Sequence, residues 1–257
     1  MSGYQDVVNA SFPLTSWALV EAAGTDFAPY SGTQHLTGAG VTQYQQPGPF
    51  AAALALHLNA GKLTSPNVLP FNKWWTMEAW FNIDAAARAG NALLMYLGGN
   101  SAANGWGLYI PVASNTLHIF WANPVRDITT SIVLTAGTWY LLQIGNLSGA
   151  TGEFDIAVNG QLLAQDVTPN SQTVPAGGYG FGGDTTLAAN FRGLIAMPAV
   201  YVTQQSALSW FSRFLAATDP NAAILDALQG PGATVAGGAG ILSQILASVS
   251  KTYQNAP

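Results

Sequence analysis

The nine residues Trp75-Thr-Met-Glu-Ala-Trp-Phe-Asn-Ile83 alternate between two kinds of side chain, and this alternation decides the fold class. One set is apolar and consists of Trp75, Met77, Ala79, Phe81 and Ile83. The other set contains Thr76, Glu78 and Asn82, with Trp80 among them. A period of two residues is typical of a β-strand that packs one face against a core. The stretch therefore predicts a sheet strand with a buried apolar face.

Similar short segments continue toward the C-terminus of the chain. The alternation predicts further strands at residues 93–97, 106–112, 117–121, 131–134, 138–144, 153–158, 161–164 and 191–202. Asn159-Gly160 is a dipeptide typical of a type I′ turn between two hairpin strands. Strands at a spacing of roughly 8–12 residues, separated by Gly and Asn turns, are typical of a sandwich or barrel. The sequence from 74 to 202 is therefore predicted to be all-β.

The two ends of the chain follow different patterns. Residues 1–70 indicate loops and a few weak strands, including 54–58, and residues 206–216 indicate a short helix. Pro220 can open another helix at 222–228. A last stretch has apolar residues at helical spacing, namely Ile241, Leu242, Ile245, Leu246 and Val249. We predict one domain over residues 1–217 and an apolar, glycine-rich helical extension over 218–257. The extension either docks as an arm on a neighbouring subunit or packs back over the sandwich.

The composition excludes several classes of partner. Charged residues make up 7% of the 257 positions, against about 25% in an ordinary soluble domain. The net charge is −5 with 7 Lys and Arg, so binding to nucleic acid is not expected. The chain has no cysteine, and no apolar run reaches the roughly 18 residues that would span a bilayer. A surface this poor in charge favours a homo-oligomer or another obligate assembly, although Ser, Thr, Asn and Gln side chains are the simpler explanation.

Five segments occur in the order found in one known family: residues 17–32, 76–81, 138–140, 154–160 and 191–196. The second reads T-M-E-A-W-F and fits the pattern F-T-h-E-A-W-h, where h is apolar. The last begins Phe191-Arg-Gly-Leu-Ile195 and fits F-x-G-x-I. Together they resemble the laminin-G-like, or concanavalin A-like, jelly roll of phage and bacterial surface proteins. The sequence departs from the family in having Ala157 where tyrosine is common, and in its apolar extension beyond residue 217.

The resemblance implies two antiparallel sheets packed face to face, and it extends over about residues 14–215. Members of the family bind glycans or proteins, cleave polysaccharides or build structures. The fold by itself therefore does not select a function.

Catalytic residues are not indicated by the sequence. Glucanases of this broad fold carry the pattern E-x-D-x-x-E along one strand, and the nearest match here has Glu153 and Asp155 but Val158 at the third position. We interpret the two carboxylates as the solvent face of a strand. No G-x-S-x-G is present, and His35, His57 and His118 lie far apart in the sequence. His118 is interpreted as a rim or core histidine. We predict that the protein is not an enzyme.

Glycan binding requires aromatic rings beside hydrogen-bonding side chains. The candidates are Trp74, Trp106, Tyr109, Trp121, Asn123 and Tyr179. For any single ring, burial in the core or in an interface is the simpler interpretation. Weak calcium candidates are Asp26, Asp127 and Asp184, which are not close in sequence, whereas calcium takes about six to eight oxygens. No cofactor is expected.

These observations favour a non-enzymatic virion structural protein, either a phage head-decoration or a tail component. Such a protein would contact other virion proteins and its own copies, and it would attach to cell-surface glycans. It would be assembled in the host cytoplasm, since residues 1–10 contain no basic region followed by an apolar one. The alternatives are a stand-alone carbohydrate-binding module and, less favoured, a glycoside hydrolase.

Overall fold

The computed structural model describes residues 3–11, 13–51, 53–67, 74–86, 88–98, 106–122, 125–146, 155–164, 178–183, 190–203 and 205–218. The helices are α1 (Gly3–Ala10) and α2 (Ala207–Thr218). The strands are β1 (Thr15–Ser16), β2 (Asp26–Phe27), β3 (Leu36–Pro47), β4 (Leu54–Ser65), β5 (Trp75–Ile83), β6 (Ala92–Leu97), β7 (Trp106–Ile110), β8 (Thr116–Ala122), β9 (Val125–Val133), β10 (Trp139–Asn146), β11 (Asp155–Val158), β12 (Gln161–Ala164), β13 (Tyr179–Phe181) and β14 (Phe191–Tyr201). Within these residues, neither helix is long and apolar enough to cross a membrane.

The strands form one antiparallel sheet that curls over itself. Its order is β12-β11-β10-β5-β14-β4-β13-β6-β7-β8-β9, with β3 alongside β4, β2 alongside β3 and β1 alongside β14. We call β12-β11-β10-β5-β14 the back sheet and β13-β6-β7-β8-β9 the front sheet; β4 pairs with both β14 and β13. Side chains from both sheets share one core, so the predicted all-β jelly-roll sandwich is confirmed.

The central strand β5 has the two faces that its sequence predicts. The core face consists of Trp75, Met77, Ala79, Phe81 and Ile83, all of which belong to the main core. Neighbouring strands β10 and β14 pair with β5 along its length. Each large apolar side chain buried in this way stabilises the fold by roughly 1.5–3 kcal/mol relative to exposure.

The opposite face of β5 is buried as well. Thr76, Glu78 and Trp80 lie in a second layer between the back sheet and the helices α1 and α2. Tyr4 of α1 packs edge-on against Trp80. The back sheet is therefore covered on both sides, by the front sheet and by the two helices.

The helix predicted at residues 206–216 is present as α2. Ser206 and Ser209 exchange hydrogen bonds between backbone N–H and side-chain oxygen, which forms a capping box at the start of this helix. Trp210, Arg213 and Ala216 form its buried side. Asn159 and Gly160 both have positive φ, of 53° and 73°, as the predicted type I′ turn requires.

The region 1–70 differs from its prediction of loops and weak strands. It contains the helix α1 and two strands of 12 residues each, β3 and β4. Most residues of β3 beyond Gly38 are exposed or half-buried, so its sequence lacks a regular apolar alternation. The helices predicted at 222–228 and 241–249 lie outside the described residues, as does nearly all of the extension 218–257.

Candidate functional site

Five side chains form a surface on the outer side of the front sheet. They are Tyr96 of β6, Tyr109 of β7, His118 and Phe120 of β8, and Asp127 of β9, and we call this set the aromatic face. The intervening residues, such as Leu108 and Ile119, belong to the core. Because side chains alternate along a strand, the aromatic face points away from the core. Tyr109 lies opposite His118, and Phe120 lies opposite Asp127.

Asp127 links two members of the aromatic face. The Tyr109 hydroxyl donates a hydrogen bond to Oδ2 of Asp127 at 2.5 Å, and Nδ1 of His118 lies 2.9 Å from Oδ1. The His118 side chain is 13% exposed and that of Asp127 is 49% exposed. Burial and the neighbouring Asp127 carboxylate raise the pKa of Tyr109. Tyr109 therefore remains a neutral hydrogen-bond donor at physiological pH.

The rings of the face pack against one another across three strands. Phe120 stacks on Tyr96 with centroids 5.7 Å apart, and Tyr109 meets Phe120 edge-on at 5.8 Å. Gly107 lies between Tyr96 and Phe120 in the strand register. A Cβ at this position would lie 3.3 Å from Cε1 of Phe120 and 2.3 Å from the Met95 carbonyl oxygen. Glycine therefore permits the ring stack.

This arrangement can bind a polar ligand that has one apolar side. The half-buried rings of Tyr109 and Phe120 provide contact area, whereas Tyr96 is buried and supports Phe120. The exposed part of the Asp127 carboxylate accepts hydrogen bonds from hydroxyl groups. A few fixed polar groups beside apolar rings are typical of small-molecule sites. A sugar ring, with hydroxyls at its rim and C–H groups on its faces, meets both requirements.

The predicted glycan residues occupy different places. Tyr109 belongs to the aromatic face, and Trp74 is half-buried immediately before β5. Trp106 instead belongs to the main core, with its ring 5.4 Å from that of Trp75. Tyr179 is also in the core, where its hydroxyl donates to Oε1 of Gln34.

The burial of Trp106 and Tyr179 removes their rings from the surface, because both point to the core side of the front sheet. Trp121 lies opposite Trp106 in the strand register. Asn123 lies outside the described residues.

The calcium candidates are dispersed in the structure. Asp26 pairs with His35 at an exposed position, and Asp127 belongs to the aromatic face. Asp184 lies outside the described residues. In the part of the chain that the structure describes, no group of three or more His, Asp or Glu side chains is placed to hold a metal ion. The expectation of no cofactor, with these three residues as weak calcium candidates, stays a prediction.

A buried ion pair beneath α2 was not indicated by the sequence. Nε of Arg213 donates to Oε2 of Glu78 at 2.7 Å, and both side chains are 0% exposed. Tyr4 and Tyr201 donate to the other carboxylate oxygen, and Gln143 donates to Oε2. Burial alone would lower the pKa of Arg213, but the adjacent Glu78 carboxylate raises it above its usual value.

The same covered face explains a second difference from expectation. Asp155 is buried, whereas the sequence predicts it on a solvent face. It lies opposite Gly145, which in turn lies opposite Thr76, and Thr76 is fully buried. Asp155 therefore belongs to a sheet surface that is closed to solvent.

Four tyrosines are expected to resist ionisation in the folded protein. Burial and the Glu78 carboxylate raise the pKa of Tyr4 and Tyr201, and burial raises the pKa of Tyr109 and Tyr179. Their neutral forms contribute stability fully below the unfolded pKa of about 10, and this contribution is lost as the pH rises above it. An absorbance titration of tyrosinate, followed with circular dichroism, should show Tyr4, Tyr179 and Tyr201 ionising only with unfolding, because they are fully buried. Tyr109 is half-buried and should ionise later than a free tyrosine without requiring unfolding. Ionisation of all nine tyrosines near pH 10 without unfolding would contradict this expectation.

The molecule is an antiparallel β-sandwich with helices over one outer surface and a partly exposed aromatic face on the other. A family model described as the concanavalin A-like lectin/glucanases superfamily matches residues 59–209. The chain therefore belongs to this superfamily, which confirms the resemblance of the sequence to a concanavalin A-like jelly roll.

Solved structures share the fold at low sequence identity. Trypanosoma rangeli sialidase in complex with sialic acid has a TM-score of 0.60 at 16% identity, over 81% of this chain and 33% of the sialidase chain. A mutant of that sialidase displaying trans-sialidase activity has a TM-score of 0.59 at 14% identity, over 85% and 38%. The receptor-binding domain of botulinum neurotoxin mosaic serotype C/D has a TM-score of 0.57 at 14% identity, over 80% and 51%.

This chain spans about a third of the sialidase and half of the neurotoxin domain. At these identities the likeness establishes the fold alone. Among curated proteins, none matches the sequence.

Proposed function

We propose that the protein is a non-enzymatic carbohydrate-binding module that binds sugar through the aromatic face. The observation that carries the proposal is the Tyr109–Asp127–His118 cluster beside Phe120. One carboxylate fixes the tyrosine and the histidine, so the side chains are held in place before a ligand arrives. Such pre-ordering reduces the entropy lost on binding.

The comparisons support a carbohydrate as the ligand. The superfamily is described as lectins and glucanases, and one structural neighbour is a sialidase in complex with sialic acid. These properties belong to those proteins, and the proposal for this chain depends on the chemistry of its own aromatic face.

Binding without hydrolysis is supported by the positions of the carboxylates. Glycosidases usually place two carboxyl groups about 5–10 Å apart on either side of the scissile bond. In the described residues, the aromatic face contains one carboxylate, Asp127, which is already bonded to Tyr109 and His118. Glu78 and Asp155 are buried in the back sheet.

The proposal is tested by removing the ring at the centre of the face. We expect Tyr109→Ala to weaken binding of a glycan identified on an array by about tenfold or more, because a central aromatic contact is lost. Isothermal titration calorimetry on the full chain measures the affinity, and circular dichroism checks the fold. Tyr30→Ala is the matched control, since Tyr30 is an exposed tyrosine between β2 and β3. Equal affinity of Tyr109→Ala and the parent protein, or no array signal, would overturn the proposal.

We further propose that the protein is a component of a phage virion. The support for this proposal is the resemblance to phage and bacterial surface proteins and the charged fraction of 7%. Few charged groups leave a free monomer poorly protected from association. Contacts with other virion proteins, and with further copies of this chain through residues 241–249, remain predictions from the sequence.

A further inference from the structure

A separate cavity lies at the end of the front sheet, away from the aromatic face. Its volume is about 330 Å³, at the small end of the roughly 300–1,000 Å³ range of ligand pockets. Its walls come from the connection between β5 and β6, the turn between β7 and β8, and the end of β9. Tyr109, His118 and Asp127 are not part of its lining.

The cavity contains a guanidinium group that is held in place by neutral acceptors. Nη2 of Arg88 donates to the carbonyl oxygens of Pro111 and Ser114 at 2.8 and 2.7 Å, and to Oδ1 of Asn115 at 3.0 Å. Nε of Arg88 is inaccessible to water and has no hydrogen-bond partner among the described residues. Within the same residues, Arg88 takes part in no ion pair. Three hydrogen bonds fix Nη2, and Nε is closed to ligands, so an anion reaches the guanidinium at Nη1, which takes part in no hydrogen bond within the described residues.

The other walls select among anions. Val112 and Val133 line the cavity and are 49% and 61% exposed, so they offer apolar surface to a ligand. Asp84 also lines it, with Oδ2 bound to Nε2 of His57 at 3.0 Å. This carboxylate repels a doubly charged phosphate more strongly than a singly charged carboxylate. The doubled charge of phosphate also strengthens its attraction to Arg88, so the apolar walls decide: an organic anion fits better because its carbon skeleton can pack on Val112 and Val133.

We propose that this cavity binds a small organic carboxylate of monosaccharide size. The carboxylate pairs with the Arg88 guanidinium, and the carbon skeleton packs on Val112 and Val133. The carboxylate can belong to an acidic sugar or to a simple aliphatic acid, and both present the same group to Arg88. The cavity is separate from the aromatic face, so this proposal can be tested independently of the proposed function.

The first test compares four probes on the full chain by isothermal titration calorimetry and NMR shift mapping: glucuronate, glucose, propionate and phosphate. We expect glucuronate to bind and to shift the resonances of residues 112–115 and 133, and glucose to bind at least about tenfold more weakly. Propionate binding as tightly as glucuronate would identify simple acids as the source of the carboxylate, whereas much weaker binding would identify acidic sugars. Equal affinity for glucose and glucuronate, tighter binding of phosphate, or no binding of either carboxylate would overturn the proposal.

The second test places a negative charge on the cavity wall. We expect Val133→Glu to weaken carboxylate binding by about tenfold, because the new carboxylate repels the ligand. Val133 is largely exposed, so the fold is retained, whereas replacing Arg88 would also remove three hydrogen bonds from the turn. Val20→Glu is the matched control, since Val20 is 55% exposed and outside the cavity lining. Equal losses of carboxylate affinity in both variants, or no loss in Val133→Glu, would contradict the proposed site. Tyr109→Ala should leave carboxylate binding in the cavity unchanged, because Tyr109 is not part of its lining.

Discussion

Replacement of Arg213 by methionine should lower the free energy of unfolding by about 3–5 kcal/mol. The substitution leaves the Glu78 carboxylate fully buried without its cation, although Tyr4, Tyr201 and Gln143 still donate to it. An unpaired buried charge costs more than the pair contributes, because the desolvation of the carboxylate is no longer compensated. Urea denaturation followed by circular dichroism measures the change.

The controls separate the ion pair from the loss of an arginine as such. Arg192→Met should cost less than about 1 kcal/mol, since Arg192 is only half-buried and belongs to none of the described ion pairs. The double variant Glu78→Gln with Arg213→Met should recover part of the lost stability, because the buried charge is removed with its partner. A cost of less than about 1 kcal/mol for Arg213→Met alone would show that the pair does not anchor α2 to the back sheet.

The Glu78–Arg213 pair distinguishes the two sides of the sandwich. It binds α2 to the back sheet, whereas the aromatic face lies on the front sheet. In the described residues, the helices cover the outer surface of the back sheet, and the Glu78–Arg213 pair is closed to ligands. The two sites that we propose lie instead on the front sheet and on the loops at its end.

Alternation predicted most of the strands because each of them has one face in the main core. β5, β6, β8, β10 and β14 were identified to within a few residues in this way. The same signal fails for β3, where pairing with β4 supplies the stability and the side chains are mostly exposed. It fails for α1 too, since a helix of 8 residues offers only about two turns of periodicity.

The candidate site could be predicted only in part. Tyr109 was identified, but the neighbours that define its role come from other strands. The sequence predicts a strand only from residue 131, whereas β9 begins at Val125, so Asp127 falls outside the predicted strands. Its contact with Tyr109 depends on the register of three strands, which a single sequence does not specify.

The buried rings were predictable in principle. Trp106 shares its alternation with Leu108 and Ile110, and all three lie in the main core. For Trp106, the alternation along the strand is therefore a better predictor of where the ring lies than the general association of aromatic residues with glycan binding. By contrast, Glu78 and Arg213 are 135 positions apart, and no local pattern links them.

Replacement of Gly193 by alanine should cost at least about 3 kcal/mol of stability. Gly193 lies in β14 with a φ of +142°, and a Cβ there would lie 2.1 Å from the carbonyl oxygen of Asn82 on β5. The variant must therefore accept a strained backbone and also separate two central strands of the back sheet. The glycine of the F-x-G-x-I motif is thus explained by close packing of strands. Thermal and urea denaturation measure the loss.

Gly24→Ala is the matched control for this effect. Gly24 has a φ of +100°, but a Cβ there meets nothing within 4 Å. Gly24→Ala should lower the free energy of unfolding by only about 1 kcal/mol, which is the cost of placing alanine at a positive φ. The difference between the two variants therefore isolates the steric contact with Asn82. If both variants lose the same stability, backbone conformation alone requires glycine at residue 193, and the close approach of β14 to β5 plays no part in that requirement.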